Sequence, residues 1–365
     1  MSRFRIPFGS PAPREDAAVI RAAIERVVSS GWYVLGPEVA AFEAEFAAAA
    51  GAAHAVGVGT GTDAIALILK GLGIGPGDEV ITTPLSAAYT ALAVMMVGAR
   101  PVFADIDPER HTLDAAAVAH AITPRTRALL PVHLYGQAAD MDALMPLAAA
   151  HNLLVVEDAS QAHLATASGR PVGTIGIAGA FSFYPTKNLG ALGDGGAIVT
   201  NDEALAAKLR RLRNGGQTNR YHHLEPGMNS RLDEMQAAIL RARLPYLPAW
   251  THTRRSRAAQ YRAGLAGAAV HVPRELDAGH VYHLFVVRTR NRAALQEHLA
   301  NSGIETLVHY PVPIPRQPAL ADQQPADCPE GNRACDEVVS LPMHPGLSAD
   351  DVHDVCAAVC AFHEE

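Results

Sequence analysis

Residues 127–158 are RALLPVHLYGQAADMDALMPLAAAHNLLVVED, two short apolar runs separated by one helical pattern. RALLPVH and LLVVED are rich in leucine and valine, which is typical of buried strands. DMDALMPLAAAHN, between them, has the length and spacing of a helix. Two apolar strands joined by a helix favour a β-α-β unit, because parallel strands need a long crossover connection. The stretch therefore predicts a parallel sheet covered by helices.

The same alternation continues on both sides of this unit. Upstream, EVITTP and RPVFADID predict strands, and SAAYTALAVMMVGA between them predicts a helix. Downstream, residues 172–200 contain short β-like pieces separated by glycines, which we expect to complete the sheet. The chain as a whole is therefore predicted to have an α/β fold.

The length of 365 residues exceeds what one compact core usually holds, which predicts one large and one smaller domain. A long helical stretch after residue 230 is interrupted by Pro245 and Pro248, and we place the boundary there. The predicted domains are residues 1–245 and 246–365, the second a smaller α+β domain.

Composition and charge exclude several classes of protein. The chain has 30 Lys and Arg against 37 Asp and Glu, a formal charge of -7, which offers no general attraction to nucleic acid or anionic membranes. The N-terminal residues do not resemble a signal peptide, and no apolar run is long enough to span a bilayer. We therefore expect a cytoplasmic protein. The four cysteines are expected to be reduced and packed, with no metal site.

A glycine- and threonine-rich turn, GVGTGTDAIAL at residues 57–67, leads from a predicted strand into a helix. Free N–H groups and the positive end of the helix dipole at such a turn bind phosphate. The alternative is a tight turn with Thr62 as the helix N-cap. The turn alone does not decide between them.

Two acids, Glu157 and Asp158, follow the apolar strand LLVV. They are expected at its carboxyl end, where open α/β sheets bind ligands. Such acids hold a metal for phosphoryl transfer, face a cationic ring nitrogen, or cap a helix, and the stretch is compatible with all three.

One lysine, Lys187, lies among small residues and glycines in FSFYPTKNLGALGDGGAIVT, residues 181–200. A lysine in a dry loop loses part of its preference for the charged form and acts as a Schiff-base nucleophile. The alternative is a loop lysine that reaches solvent. Further along, in GMNSRLDEMQAAIL, Asn229 and Ser230 are candidates to cap a helix and Arg231 to pair with an anion.

The order of these features is more informative than any one of them. A phosphate cradle, an acid at a strand end and an amine lysine are what pyridoxal phosphate requires of a protein. The chain resembles the DegT/DnrJ/EryC1/StrS family of sugar aminotransferases, which have the aspartate-aminotransferase fold (fold type I). The resemblance covers nearly the whole length and includes GWYVLGPEVAAFEAEFA, GVGTGTDAIAL, GARPVFADID, PVHLYGQAADMDAL, VVEDASQAH, FSFYPTKNLGALGDGGAIVT and NSRLDEMQAAIL.

The resemblance implies a mostly parallel, mixed seven-stranded sheet and assigns roles to individual residues. Lys187 matches the lysine that forms the Schiff base with the cofactor, and Asp158 matches the acid at the pyridine nitrogen. Gln161 matches the residue near the ring hydroxyl. The family's aromatic residue that stacks on the ring is replaced by alanines here, and we expect Tyr89 to take its place. The remaining implied cofactor ligands are Gly61, Thr62 and Ser182 at the phosphate, together with Asn229 from the neighbouring subunit.

By the same resemblance, the protein is expected to be a homodimeric pyridoxal-phosphate-dependent aminotransferase with shared active sites. It would move an amino group from L-glutamate to a nucleotide-linked keto sugar, by analogy a dTDP-3-keto-6-deoxyhexose, in amino-sugar biosynthesis. The alternatives are a C-4 keto sugar, a UDP-3-keto sugar and a non-catalytic regulator that binds the cofactor. Expected substrate contacts are Tyr33, Tyr184, His309 and Tyr310.

Overall fold

A seven-stranded sheet forms the centre of the computed structural model, which describes residues 4–9, 12–323 and 327–362. In chain order the strands of these residues are β1 (His54–Val58), β2 (Glu79–Thr82), β3 (Arg100–Phe103), β4 (Thr126–Leu130), β5 (Leu154–Asp158), β6 (Thr166–Ala167), β7 (Arg170–Pro171), β8 (Ala178–Ser182), β9 (Gly196–Thr200), β10 (Gln217–Asn219), β11 (His222–His223), β12 (Phe285–Arg288) and β13 (Val338–Leu341). The large sheet has the order β1-β9-β8-β5-β4-β2-β3, and only β9 runs against the others. The predicted mixed, mostly parallel α/β sheet is confirmed.

Helices cover this sheet and build a smaller unit beside it. They are α1 (Ala17–Ser30), α2 (Pro37–Ala50), α3 (Gly61–Gly71), α4 (Tyr89–Met96), α5 (Ala115–Ala121), α6 (Met141–Ala150), α7 (Glu203–Leu212), α8 (Glu234–Arg243), α9 (Leu247–Gly264), α10 (Arg292–Asn301), α11 (Pro329–Glu337) and α12 (Ala349–Cys360). The helices α1 and α2 end at Gly31 and Gly51, both with φ near 70°. That left-handed conformation favours glycine and lets the residue's N–H bond the last turn of the helix.

Helix α3 explains how the first glycine-rich turn is held in place. Its residues Leu67, Ile68 and Leu69 are fully buried, and the helix packs against β8 and β9 on one side and α4 and α7 on others. Eight of its eleven residues are buried, as is typical of a helix packed inside a protein. The N-terminus of α3 is therefore fixed at the edge of the sheet where β8 ends.

The smaller unit consists of the antiparallel pair β12–β13 with α9, α10 and α12 around it. The predicted boundary falls within the 3₁₀ turn Leu244–Tyr246. Trp250, early in α9, packs in a core of the large sheet, whereas Tyr261, later in the same helix, belongs to the core of the smaller unit. Pro248 lies in the first turn of α9 and does not interrupt it, because proline is tolerated there.

The division into two domains at residue 245 stays a prediction. The first three residues of the first predicted domain, 1–3, and the last three of the second, 363–365, lie outside the described residues. No helix in the described ranges is long and apolar enough to cross a lipid bilayer. The four cysteines form no disulfide, and Cys328, Cys335 and Cys356 are buried as expected. The expectation of a packed thiol is wrong for Cys360, which is exposed near the end of α12.

Candidate active site

Asp158, the last residue of β5, is buried at the carboxyl edge of the sheet, with 4% of its surface exposed. Its Oδ2 accepts a hydrogen bond from Thr90 Oγ1 at 2.8 Å, and its Oδ1 accepts one from Ser160 N at 3.1 Å. A buried carboxylate must be satisfied in this way. Both partners are neutral donors, so they orient the carboxylate and add no counter-charge.

Lys187 lies in the loop that follows β8, where its N–H donates to the carbonyl of Tyr184 at 2.8 Å. Burial lowers the pKa of its amine to about 8, although the charge of Asp158 acts in the opposite direction. Lys187 is therefore placed as an amine that is partly uncharged near neutral pH, as a nucleophile needs to be. The solvated-loop alternative does not describe this residue.

His163 has no role predicted from the sequence. It is fully buried between the rings of Phe181 and Phe183. Burial, followed by the charge of Lys187, lowers its pKa to about 3. An uncharged ring thus lies near the lysine, and the only advance signal was its position in VVEDASQAH.

The turn before α3 meets the end of β8. A Cβ built on Gly61 would lie 2.7 Å from Ser182 Cβ, and one on Gly196 would lie 2.4 Å from the carbonyl carbon of Thr60. Only glycines allow this approach, which brings the first N–H groups of α3 to Ser182. The N-cap is Thr60, whose Oγ1 accepts from Asp63 N at 3.0 Å. The expectation that Thr62 caps the helix is therefore wrong, because Thr62 lies inside its first turn.

This turn fits a phosphate group. The N–H groups of Gly61 and Thr62 are at the start of a helix, where no carbonyl of the preceding turn is available to them. The Ser182 side chain is half-buried beside them. Together they supply the donors and the dipole end that an anion requires.

Gln161 is held between two tyrosines. Its Oε1 accepts from Tyr135 N at 2.8 Å, and its Nε2 donates to Tyr310 Oη at 2.9 Å. The Tyr135 hydroxyl donates to the carbonyl of His309. Burial raises the pKa of Tyr310 to about 12. The fold therefore places Tyr310 and His309, both predicted from sequence, next to Gln161.

His309 is an uncharged ring near the lysine. Its Nδ1 lies 2.9 Å from Ser340 Oγ, and burial together with the charge of Lys187 lowers its pKa to about 4.

Tyr89, Tyr33 and Tyr184 are each more than half exposed. Tyr89 is the first residue of α4 and directly precedes Thr90, which bonds Asp158. Tyr184 is in the lysine loop. Tyr33 lies between α1 and α2, where its carbonyl accepts from Glu234 N, and the structure shows no contact of its ring with Lys187 or Asp158.

The segment around Asn229 corrects the helix-cap expectation. The N-cap of α8 is Asp233, and neither Asn229 nor Ser230 caps that helix. Ser230 Oγ instead accepts from Gly59 N at 2.9 Å and donates to Asp63 at 2.7 Å, so it holds the turn before α3. Asn229 itself is exposed and forms a backbone bridge with Asn214.

Glu157 points away from this site. Its oxygens accept from the N–H groups of Gly173, Ile175 and Gly176 at 2.7–2.8 Å, and its Oε2 lies 2.9 Å from His133 Nε2. Neighbouring residues in a strand face opposite sides of the sheet. The two acids therefore cannot form a paired metal site, and Glu157 anchors the loop before β8.

The model of the DegT/DnrJ/EryC1/StrS aminotransferase family matches residues 14–360. The chain is 51% identical to a dTDP-3-amino-3,4,6-trideoxy-alpha-D-glucose transaminase of Streptomyces venezuelae, over 99% of this chain and 97% of that protein.

Two solved structures are similar along almost the whole chain. A crystal structure of S. venezuelae DesV in complex with a ketimine intermediate has a TM-score of 0.92 at 51% identity and covers 94% of each chain. A crystal structure of ntda from Bacillus subtilis with bound cofactor PMP has a TM-score of 0.91 at 30% identity, covering 99% of this chain and 86% of that one.

Proposed function

We infer the reaction of this protein from its family, since the chain belongs to the DegT/DnrJ/EryC1/StrS aminotransferase family. We propose that it is a pyridoxal-phosphate-dependent enzyme that transfers an amino group from L-glutamate to C-3 of a nucleotide-linked keto sugar. The observation that carries the proposal is a half-buried lysine in the loop after β8, on the sheet edge where Asp158 ends β5, whose pKa burial lowers to about 8 against the charge of Asp158.

The described residues fit the cofactor. The turn at Gly61 and Ser182 offers donors to its phosphate, Asp158 offers a buried carboxylate to its ring nitrogen, and Lys187 offers an amine to its aldehyde. Bound pyridoxal phosphate supplies that aldehyde and a protonated ring that withdraws electrons from the substrate carbon.

Lys187 has two tasks in this proposal. Its uncharged amine is the nucleophile that holds the cofactor, and once displaced by the donor's amine it takes and returns the proton of the substrate carbon. Its pKa of about 8 suits both tasks, because a base works best when its pKa is near the operating pH.

Asp158 keeps the ring nitrogen protonated through its opposite charge, and Thr90 and Ser160 hold the carboxylate in one orientation. Gln161 presents its NH₂ group to the side of Tyr310 because the backbone N–H of Tyr135 fixes its oxygen. Asp158 and Gln161 are therefore proposed to orient the cofactor ring, Asp158 at the ring nitrogen and Gln161 at the ring hydroxyl. Tyr89, at the start of α4, is proposed to stack on the ring.

We propose a homodimer in which Asn229 completes the phosphate site of the partner subunit. Its exposed position leaves the side chain accessible to a second copy, and exposed aromatic rings at Trp32, Tyr33 and Tyr184 provide apolar surface typical of interfaces. A mixture of Lys187→Ala and Asn229→Ala subunits tests this arrangement. If the two variants pair at random, about half of the dimers contain one subunit of each kind. In a shared-site dimer, each of these hybrids has one site with both residues intact, so about a quarter of the activity of the unaltered enzyme is expected.

The amino acceptor is proposed to be a dTDP-3-keto-6-deoxyhexose. This rests on the 51% identity to the Streptomyces venezuelae transaminase, whose name specifies a dTDP-linked 3-amino sugar. Tyr184 lies in the lysine loop. It is proposed to contact the sugar together with Tyr33, His309 and Tyr310. A panel of dTDP- and UDP-linked 3-keto and 4-keto sugars with L-glutamate tests the assignment, and preference for a 4-keto sugar would refute it.

The central experiment is borohydride reduction of the cofactor-loaded protein followed by peptide mass spectrometry. A stable cofactor adduct is expected on the peptide that carries Lys187, and Lys187→Arg is the charge-matched control without it. L-Glutamate should shift the absorbance of the bound cofactor. A band that no amino donor shifts would favour the non-catalytic regulator, and absence of any adduct at Lys187 would refute the proposed chemistry.

A further inference from the structure

A cavity of about 310 Å³ lies beside Lys187, between the N-terminal segment, the loop after β8 and the smaller unit. We call it the lysine cavity. Its wall includes Lys187, Arg14, Arg254, Trp250, His283 and Gly346.

Arg254 on α9 is a buried cation in this wall, 6% exposed. Its Nη1 donates to the carbonyls of Tyr282, His283 and Met343 at 3.1, 3.2 and 2.9 Å. No carboxylate pairs with it among the described residues, and its Nε is buried without a partner. Burial lowers its pKa to about 10. A buried charge without a counter-ion is costly, so the site favours an incoming anion.

Arg14 supplies a second cation to the same space. A Cβ built on Gly346 would lie 1.2 Å from Arg14 Nη1, so the guanidinium lies directly against that glycine. Within residues 4–9, 12–323 and 327–362 it forms no ion pair. Of the three acids in the wall, Asp16 pairs with Arg243 at 2.8 Å. Glu15 accepts from Trp250 Nε1 at 2.6 Å and Glu305 from the N–H of Phe8 at 2.9 Å, and both donors are neutral, so these two carboxylates keep their charge.

His283 lies close enough to both Arg254 and Lys187 to be affected by their charges. Its Nδ1 lies 3.2 Å from Asn188 Oδ1, next to the lysine in the chain. Burial, then the charges of Lys187 and Arg254, lower its pKa well below the usual range. The imidazole therefore stays neutral. With Arg243 paired to Asp16, the remaining cations of the wall are Lys187, Arg254 and Arg14, against the carboxylates of Glu15 and Glu305.

We propose that Arg254 and Arg14 bind the distal carboxylate of the amino donor, a dicarboxylic α-amino acid whose amine lies at Lys187. This subsite rests on the proposed function. The planar guanidinium fork matches a carboxylate. A cavity of about 310 Å³ has room for a dicarboxylic amino acid. Such a subsite would make the enzyme bind a dicarboxylic amino donor more tightly than a neutral amino acid.

The first test measures binding without turnover. Only Trp32 and Trp250 are tryptophans, so a Trp32→Phe background leaves Trp250, in the cavity wall, as the sole fluorescent reporter. Glutarate should change its emission saturably, and butyrate, with one carboxylate, should bind at least tenfold more weakly. Arg14→Gln should weaken glutarate binding at least tenfold. Gly346→Ala, which displaces the Arg14 guanidinium without removing a charge, should weaken it in the same direction.

The second test compares donors in the first half-reaction of the holoenzyme, followed by cofactor absorbance. Arg254→Lys and Arg14→Gln should each raise the half-saturating concentration of L-glutamate at least tenfold and leave that of L-alanine within twofold. Because Arg254 also holds three carbonyls, the exposed Arg14 keeps the test interpretable if Arg254→Lys does not fold.

Equal effects on both donors, or no effect on glutarate, would overturn the subsite. Weaker binding of dTDP in Arg14→Gln, with glutarate unaffected, would overturn it in favour of a phosphate site. Failure of the proposed function has a different outcome, in which no donor shifts the absorbance of the unaltered enzyme although glutarate still binds.

Discussion

Thr90 allows a quantitative test of how Asp158 is held. Its Oγ1 donates to Asp158 Oδ2 at 2.8 Å, and the two residues are 2% and 4% exposed. Thr90→Val preserves the shape of the side chain and removes the donor. A hydrogen bond to a charged group contributes about 1.5–3 kcal/mol. If that amount is lost in the transition state, kcat falls by about 10–150-fold.

The assay is the single-turnover rate of the first half-reaction, with thermal unfolding measured in parallel. Thr90→Ser restores the donor and should recover most of the rate, which a purely structural role in packing would not explain. Ser86→Ala is the matched control, because Ser86 Oγ is 3.3 Å from Thr90 Oγ1 and does not contact Asp158 in the structure. A well-folded Thr90→Val enzyme with a rate within twofold of the unaltered enzyme would refute the reasoning.

Three further predictions address the lysine, the phosphate turn and the buried acid. Gly61→Ala forces a Cβ to within 2.7 Å of Ser182 Cβ, so the Kd for pyridoxal phosphate should rise at least tenfold by equilibrium dialysis; unchanged affinity would remove this turn from the site. Since only the uncharged amine reacts and the pKa of Lys187 is about 8, the rate of cofactor capture should rise with pH up to about 8 and level off above it; a flat profile in stopped-flow absorbance would contradict this. Glu157→Gln places an NH₂ group among N–H donors that need an acceptor. It should lower the free energy of unfolding, measured by urea denaturation, by about 1.5–3 kcal/mol. A loss below about 0.5 kcal/mol would show that this network is not stabilising.

Much of the fold was predictable because its determinants are local. The apolar runs at β4 and β5 and the helical spacing of α6 specify a β-α-β unit without reference to the rest of the chain. Helix ends at Gly31 and Gly51 were predictable for the same reason, since a left-handed residue is needed at each. The predicted interruption at Pro248 was wrong, because a proline breaks a helix only beyond its first turn.

The contacts that orient the site were not predictable in this way. Thr90 precedes Asp158 by 68 residues, and the Glu234 carboxylate accepts from Glu38 N and Val39 N, nearly 200 residues away, to cap α2. No local pattern marks either residue. Their partners are set by how helices pack on the sheet, which depends on the whole core.

The mostly parallel sheet, the family and the candidate roles of Asp158, Lys187 and the glycine turn could be predicted from local patterns, because periodicity and motif spacing are encoded in neighbouring residues. Three features required the folded chain: Glu157 faces away from the site, Ser230 holds the turn before α3, and Arg254 and Arg14 lie beside the lysine without an ion-pair partner among the described residues. The physical reason is that hydrogen-bond partners and charge balance depend on which distant segments meet, and burial then makes each unpaired group costly.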